Sequence, residues 1–155
     1  MFHSLNFPEF DIKCRFRMGR HEIWDPIRKK YLVLTPEEWV RQNTISYLNQ
    51  VLGYPISLIK SESGLRYNGR QKRTDIVAYG RDAKAILLVE CKAVTVTIDQ
   101  GVFEQAALYN KEIRAPFLVV TNGLNHYCCR QDFEKSSFEF IAEIPSFERA
   151  VQSCT

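Results

Sequence analysis

Four consecutive large aliphatic residues, Ile86-Leu87-Leu88-Val89, run straight into Glu90-Cys91-Lys92. A strand that is apolar on both faces belongs in the middle of a covered sheet. This one nevertheless ends in charged groups, which an interior tolerates only when they are paired. A second β-prone run, 74–80, precedes it, and Arg81-Asp82-Ala83-Lys84 joins the two as a polar connection of hairpin length. If Gly80 pairs with Ala85, antiparallel partners carry numbers that add up to 165, and Asp75 falls opposite Glu90. Directly opposed residues have Cβ atoms about 4.5–5.5 Å apart, close enough for two carboxylates to share one divalent cation. Alternation puts Lys92 on the same face as Glu90. Both carboxylates stay ionised at neutral pH only if a cation lies between them or Lys92 compensates them. The competing reading is a structural ion pair at a strand end.

The surrounding pattern predicts an α/β fold. Thr35-Pro36-Glu37-Glu38 combines an N-cap, a proline at the first helical position and a capping-box glutamate, and it opens a helix to about Leu52. Val40, Thr44, Tyr47, Leu48 and Val51 form its predicted buried face, and Gly53-Tyr54-Pro55 stops it. At about 100° per residue Glu37 projects into that face and Glu38 away from it. A carboxylate pointing inward either lines a polar cleft or snorkels to water. A strand over 56–62 and a loop over 63–73 follow, the loop carrying Arg66, Arg70, Lys72 and Arg73 around Tyr67-Asn68-Gly69. Asp99 caps a second helix that runs to about Arg114, with Val102, Phe103, Ala106 and Ile113 as its apolar stripe. Strands over 117–121, 125–130 and 138–144 complete a mixed sheet flanked by helices.

At 155 residues, with 45% hydrophobic and 25% charged side chains, the chain has room for one domain, residues 1–155, with 1–34 as a β-rich N-terminal extension. In the extension Ile12, Cys14, Phe16 and Met18 alternate with Lys13, Arg15 and Arg17, the period of a half-buried strand with a basic outer face. A second basic stretch, Arg28-Lys29-Lys30, leads into Tyr31-Leu32-Val33-Leu34. No apolar run approaches the roughly 20 residues of a membrane span, and the first residues lack a signal pattern, so a cytoplasmic location without membrane contact is expected. Five cysteines without a C-x-x-C pair argue for reduced thiols rather than a disulfide framework. His126, Cys128 and Cys129 are better explained by strand alternation than by zinc. The net charge of +3 permits a polyanionic partner without requiring one.

Asp75, with Glu90-Cys91-Lys92 as an E-x-K half, resembles the PD-(D/E)XK nuclease superfamily. More closely, Leu34-Thr35-Pro36-Glu37-Glu38-Trp39-Val40-Arg41-Gln42, Arg73-Thr74-Asp75-Ile76-Val77 and Leu88-Val89-Glu90-Cys91-Lys92-Ala93 resemble the amino-terminal nuclease domain of type I restriction enzyme R subunits. That resemblance covers roughly residues 20–130. It also supplies a Q-x-x-x-Y helix motif, matched by Gln105 and Tyr109. Thr74 stands where the motif has proline, and the helicase segments of a full R subunit lie outside these residues, which leaves ATP-driven translocation without support.

The resemblance implies a restriction-endonuclease-like fold and Mg²⁺-dependent cleavage of double-stranded DNA, with Mn²⁺ as a substitute. Asp75, Glu90 and the Cys91 carbonyl would bind the metal, an arrangement that suits a hard cation. Lys92 would orient or deprotonate water, or offset transition-state charge. The resemblance further implies a helix glutamate near the metal; inward projection favours Glu37, while the capping box gives Glu38 a structural task. Gln105 and Tyr109, one helical turn apart at the edge of their helix's apolar stripe, would reach a strand or a base near the scissile phosphate. Arg66, Arg70, Lys72 and Arg73, just before Asp75, would neutralise phosphates. With no base-reading element in sight, methylase, specificity or helicase subunits are the expected source of target choice. The alternatives are a non-catalytic nucleic-acid-binding or assembly domain on the same fold, or a repair or junction-resolving nuclease.

Overall fold

The computed structural model describes residues 3–61, 65–67, 70–72 and 76–154, the side chains of 65–67 and 70–72 excepted. The N-terminal extension forms an antiparallel sheet of β1 (Cys14–Arg17), β2 (Arg20–Asp25) and β3 (Lys30–Val33). Its alternating pattern makes a strand only over Cys14–Arg17, with Ile12 and Lys13 before it and Met18 in the turn after it, and the apolar side is left open toward the tip. Cys14 is exposed, as are Phe16 at 66% and Met18 at 87%. Alternation defines two faces of a strand and leaves open whether anything packs on either.

Helix α1 spans Pro36–Ser46 and continues as a π-helical turn over Tyr47–Val51. Thr35 caps it, its Oγ1 accepting from the Glu38 N–H at 3.0 Å. Val40, Thr44 and Leu48 are buried as expected, whereas Tyr47 is half-buried and Val51 exposed. Arg41, Gln42, Asn43 and Ile45 are buried too, so nearly the whole circumference of the helix is covered. A strap of N-terminal residues lies against α1 and the end of the main sheet. The Trp39 indole donates to the His3 carbonyl at 2.9 Å, and the Asn6 N–H donates to the Gly123 carbonyl at 2.7 Å.

The expected strand over 56–62 is a 3-10 turn (Ile56–Leu58) followed by the two-residue strand β4 (Ile59–Lys60). The expected loop over 63–73 contains a hairpin of β5 (Leu65–Tyr67) and β6 (Arg70–Lys72). Next come β7 (Ile76–Tyr79), β8 (Ala85–Cys91), α2 (Gln100–Ile113), β9 (Phe117–Thr121), β10 (His126–Asp132), β11 (Ser137–Ile141) and α3 (Phe147–Ser153). The short α3, capped by Ser146, has no counterpart in the sequence reading.

Six strands form the main sheet in the order β11-β10-β9-β8-β7-β4. β8 and β9 are parallel, with α2 as their crossover, and the remaining pairs are antiparallel. α1 and α3 cover one face, packing on Val89, Cys91 and Val119. α2 covers the other, with Phe103, Ala106 and Tyr109 against Val77, Leu88 and Val120. The architecture is therefore the expected mixed sheet flanked by helices. No helix among the described residues is long and apolar enough to cross a membrane.

Candidate functional site

The site is set by the register of β7 against β8. Ile76 pairs with Val89, Val77 with Leu88 and Ala78 with Leu87, all adding up to 165 as expected. The turn reaches this register by a different route. Ala85 pairs with Tyr79 rather than Gly80, and a bulge at Ile86 absorbs the offset. A bulge adds one residue to one strand and places neighbours on a common side. Accordingly Ile86 and Leu87 both face α1 and α3. Asp75 and Arg73 lie outside the described residues.

Beyond the bulge, alternation is regular. Val89 and Cys91 point toward α1, the Cys91 Sγ lying 3.9 Å from Thr44 Oγ1. Leu88 points toward α2, so Glu90, two residues on, shares that side. Glu90 is 2% exposed, and its Oε1 lies 3.3 Å from the Lys92 ammonium. Lys92 keeps 30% of its side chain in solvent, so the pair spans the boundary between core and water. The Lys92 backbone N–H donates to the Thr121 carbonyl at 2.8 Å and extends the parallel β8–β9 pairing past Cys91. The pair thus sits where two parallel strands end together, the end at which open α/β sheets bind ligands.

Asn122 frames this end, a role its Asn-Gly turn signal did not disclose. Its Nδ2 donates to the Val96 carbonyl at 2.8 Å, tying the segment after Lys92 to the β9–β10 turn. Its Oδ1 accepts from the Leu124 and Asn125 N–H groups at 3.0 and 2.8 Å. The segments leaving both parallel strands are therefore fixed to one another.

The helix acids divide differently from the projection. Glu37 and Glu38 are both half-buried. The Glu38 carboxylate does not return to Thr35 to close a capping box. It accepts instead from Arg41, through a close contact to Oε1 and Nε at 3.1 Å to Oε2, and from Gln42 Nε2 at 3.1 Å. Arg41 also lies 4.0 Å from the fully buried Asp25, which Arg28 approaches to 3.8 Å. Glu38 thus helps fasten α1 to the root of the N-terminal sheet. Gln105 is exposed while Tyr109 is 2% exposed beneath the sheet, so one helical turn separates a surface group from a core group. Arg66, Arg70 and Lys72 lie on the β5–β6 hairpin, with Tyr67 opposite Arg70 and Leu65 opposite Lys72.

Cys128 and Cys129 belong to clusters on opposite faces of the sheet, as strand alternation requires, and burial pushes both thiols up to about 12. A hard divalent cation takes oxygen ligands. Glu90 offers a buried carboxylate at the open sheet end, and this much of the expected donor set fits. Among the described residues no group of three His, Cys, Asp or Glu gathers around one point.

The sequence model described as Type I restriction enzyme R protein N terminus matches residues 36–145. No curated protein sequence matches. Among solved structures, a fragment of a putative HsdR subunit of a type I restriction enzyme from Vibrio vulnificus shares the fold, with a TM-score of 0.53 and 20% identity over 78% of this chain. The chain spans only 25% of that fragment's length. The matched segment begins at the first residue of α1 and runs past β11, taking in the whole six-stranded sheet and the Glu90–Lys92 pair. By that match the chain belongs to the Type I restriction enzyme R protein N terminus family.

Proposed function

We propose that this chain is a Mg²⁺-dependent endonuclease domain of PD-(D/E)XK type that hydrolyses phosphodiester bonds of double-stranded DNA. The observation that carries the reading is the Glu90–Lys92 pair, an acid and a base 3.3 Å apart at the carboxyl end of a central strand in a restriction-enzyme family member. Asp75, Glu90 and the Cys91 carbonyl are the proposed ligands of the metal, with Mn²⁺ able to replace Mg²⁺. When bound, such a cation supplies charge neutralisation and an acidified water.

The remaining tasks fall to side chains of the protein. Lys92 holds the attacking water in line with phosphorus, or donates to a non-bridging oxygen as negative charge builds. Before substrate arrives, its ammonium offsets the buried Glu90 charge. Glu37, at the start of α1, is the proposed additional acid, because Glu38 is already engaged by Arg41 and Gln42. Gln105 is the proposed substrate contact on α2, a role its exposure supports, and buried Tyr109 is the proposed support of the sheet beside Glu90. Arg66, Arg70, Lys72 and Arg73 are the proposed phosphate contacts. Methylase, specificity or helicase subunits are proposed partners that choose the target.

The test is plasmid nicking with Mg²⁺ or Mn²⁺, by wild type and by Asp75→Ala, Glu90→Ala and Lys92→Ala. Nicking by wild type that is lost in all three variants is the expected result. Undiminished nicking by Glu90→Ala and Lys92→Ala, or an inert wild type that still binds DNA, overturns the cleavage mechanism.

A further inference from the structure

We propose that the tip of the β1–β2 hairpin is a binding site for single-stranded nucleic acid, with the Phe16 ring stacking on a base and Arg17 and Arg20 contacting phosphates. The hairpin turns on Met18-Gly19, with φ angles of 53° and 81°. Two-residue hairpin turns of this kind favour Asn-Gly or Gly-Gly, because both positions need positive φ. A methionine there sits in a conformation its side chain disfavours, and it is 87% exposed. Phe16, two residues earlier, is 66% exposed. Two large apolar side chains thus stand in solvent at the end of a ribbon.

The register sorts the tip into two sides. Phe16 lies opposite His21, the rings edge to face at 4.9 Å, so a face of the Phe16 ring remains open. Arg17 lies directly opposite Arg20 on the other side, and both are exposed. Like charges directly opposed across a strand pair are unfavourable, and a polyanion removes the penalty. Over residues 14–33 there are six Lys and Arg against only Glu22 and Asp25. Glu22 is held by Arg15 at 2.7 Å, and Asp25 is buried beside Arg28 and Arg41. Neither acid offsets the field at the tip.

The ribbon is stiff at its root. Ile23 and Asp25 are fully buried, Arg15 stacks on Tyr31 at 3.8 Å, and Trp24 packs on Tyr31 at 5.2 Å. An aromatic face on one side of a rigid two-stranded tip, with exposed cations on the other, lets one flexible single strand stack a base and pass its phosphates around the tip, because its unpaired bases expose their π-faces. Duplex DNA hides those faces and offers an exposed phenyl ring little. This site lies in the N-terminal extension, outside the matched residues 36–145 that hold Glu90 and Lys92, and needs neither metal nor cleavage.

The experiment measures binding of the full chain, in EDTA, to a fluorescent oligothymidylate of roughly 20 nucleotides, longer than the ~4–16 nucleotides one small binding fold covers. Parallel arms use a duplex of the same length and phosphatidylserine vesicles. The expected result is preference for the single strand, at least about fivefold weaker binding by Phe16→Ala, and an unchanged salt slope in that variant. Arg17→Ala/Arg20→Ala should flatten the slope of log K against log salt by about 1.4, two phosphates at roughly 0.7 each. Circular dichroism reports the fold, which these exposed positions leave intact. Unchanged oligonucleotide affinity in Phe16→Ala overturns the proposal, as does an unchanged salt slope in Arg17→Ala/Arg20→Ala, preference for duplex, or binding to vesicles alone. Because EDTA removes cleavage from the measurement, failure in the plasmid assay and failure here are separate results.

Discussion

Replacing Lys92 with methionine removes an ammonium 3.3 Å from a carboxylate that is 2% exposed, while keeping the volume of the side-chain stem. Deleting one partner of a fully buried ion pair costs ~3–5 kcal/mol, because the other charge is left in a poorly solvated place. Lys92 keeps 30% of its side chain in water, so solvent already screens part of the interaction. The expected cost therefore falls to about 1–3 kcal/mol at pH 7. For a chain of this length each kcal/mol moves the midpoint by about 2–4 °C, giving a drop of roughly 2–12 °C. The decisive comparison is the double variant Glu90→Gln/Lys92→Met, which removes the carboxylate charge together with the ammonium. It should be more stable than the sum of the two single changes implies, by about 0.5–3 kcal/mol. Urea unfolding followed by circular dichroism gives all four stabilities. Strict additivity, or a Lys92→Met variant within about 0.5 kcal/mol of wild type, would refute the idea that this ammonium compensates a buried carboxylate.

Gly123→Ala should destabilise by about 1–3 kcal/mol, since φ is +89° and the new Cβ would lie 2.7 Å from Leu5 Cδ2 and 3.2 Å from Val40 Cγ2. Hydrogen exchange should show the Asn6 amide losing protection, because it donates to the Gly123 carbonyl. Burial lowers the pKa of His126, and the hydrogen bond from its Nε2 to the Asn6 carbonyl offsets this in part. The folded imidazole therefore binds a proton less readily than the unfolded one. Its stabilising contribution is complete above the unfolded value of about 6.5 and is lost as pH falls through the lower folded value. Thermal unfolding of wild type against His126→Asn between about pH 8 and 5 should show the variant with the flatter profile. An identical slope in both proteins would exclude His126 as its source. Thr35→Ala should cost about 1 kcal/mol by orphaning the Glu38 N–H, measured by urea unfolding.

The central hairpin was legible because its signals are local. An apolar run closed by charges announced a buried strand, and a four-residue connection came within one residue of the right turn. The bulge at Ile86 was not legible, since Ile and Leu satisfy a both-sided apolar pattern wherever the extra residue falls. Around α1, periodicity identified Val40, Thr44 and Leu48, but it could not show that tertiary packing would bury Arg41, Gln42 and Asn43 as well. The same limit applies to Glu38, whose partner Arg41 follows it by one helical turn, while Asp25 reaches that cluster only through tertiary structure. Gln105 and Tyr109 share a spacing but not an environment, because the buried arc of α2 takes in the second and excludes the first. Phe16 and Met18 show the opposite case: alternation runs through both, yet the strand stops at Arg17, Met18 takes the turn, and both apolar side chains stand in solvent.

The bond from the Lys92 N–H to the Thr121 carbonyl has a kinetic corollary. β7 and β8 meet across a short turn, whereas β8 and β9 meet only after residues 92–116 have been spanned and α2 laid across the sheet. Closing the longer loop costs more chain entropy before any contact repays it, and parallel pairing is correspondingly slow. Glu90 and Lys92 can therefore approach one another early in folding, but the backbone that carries the lysine is locked only when the crossover completes. During synthesis this end of the sheet stays unfinished until β9 has emerged.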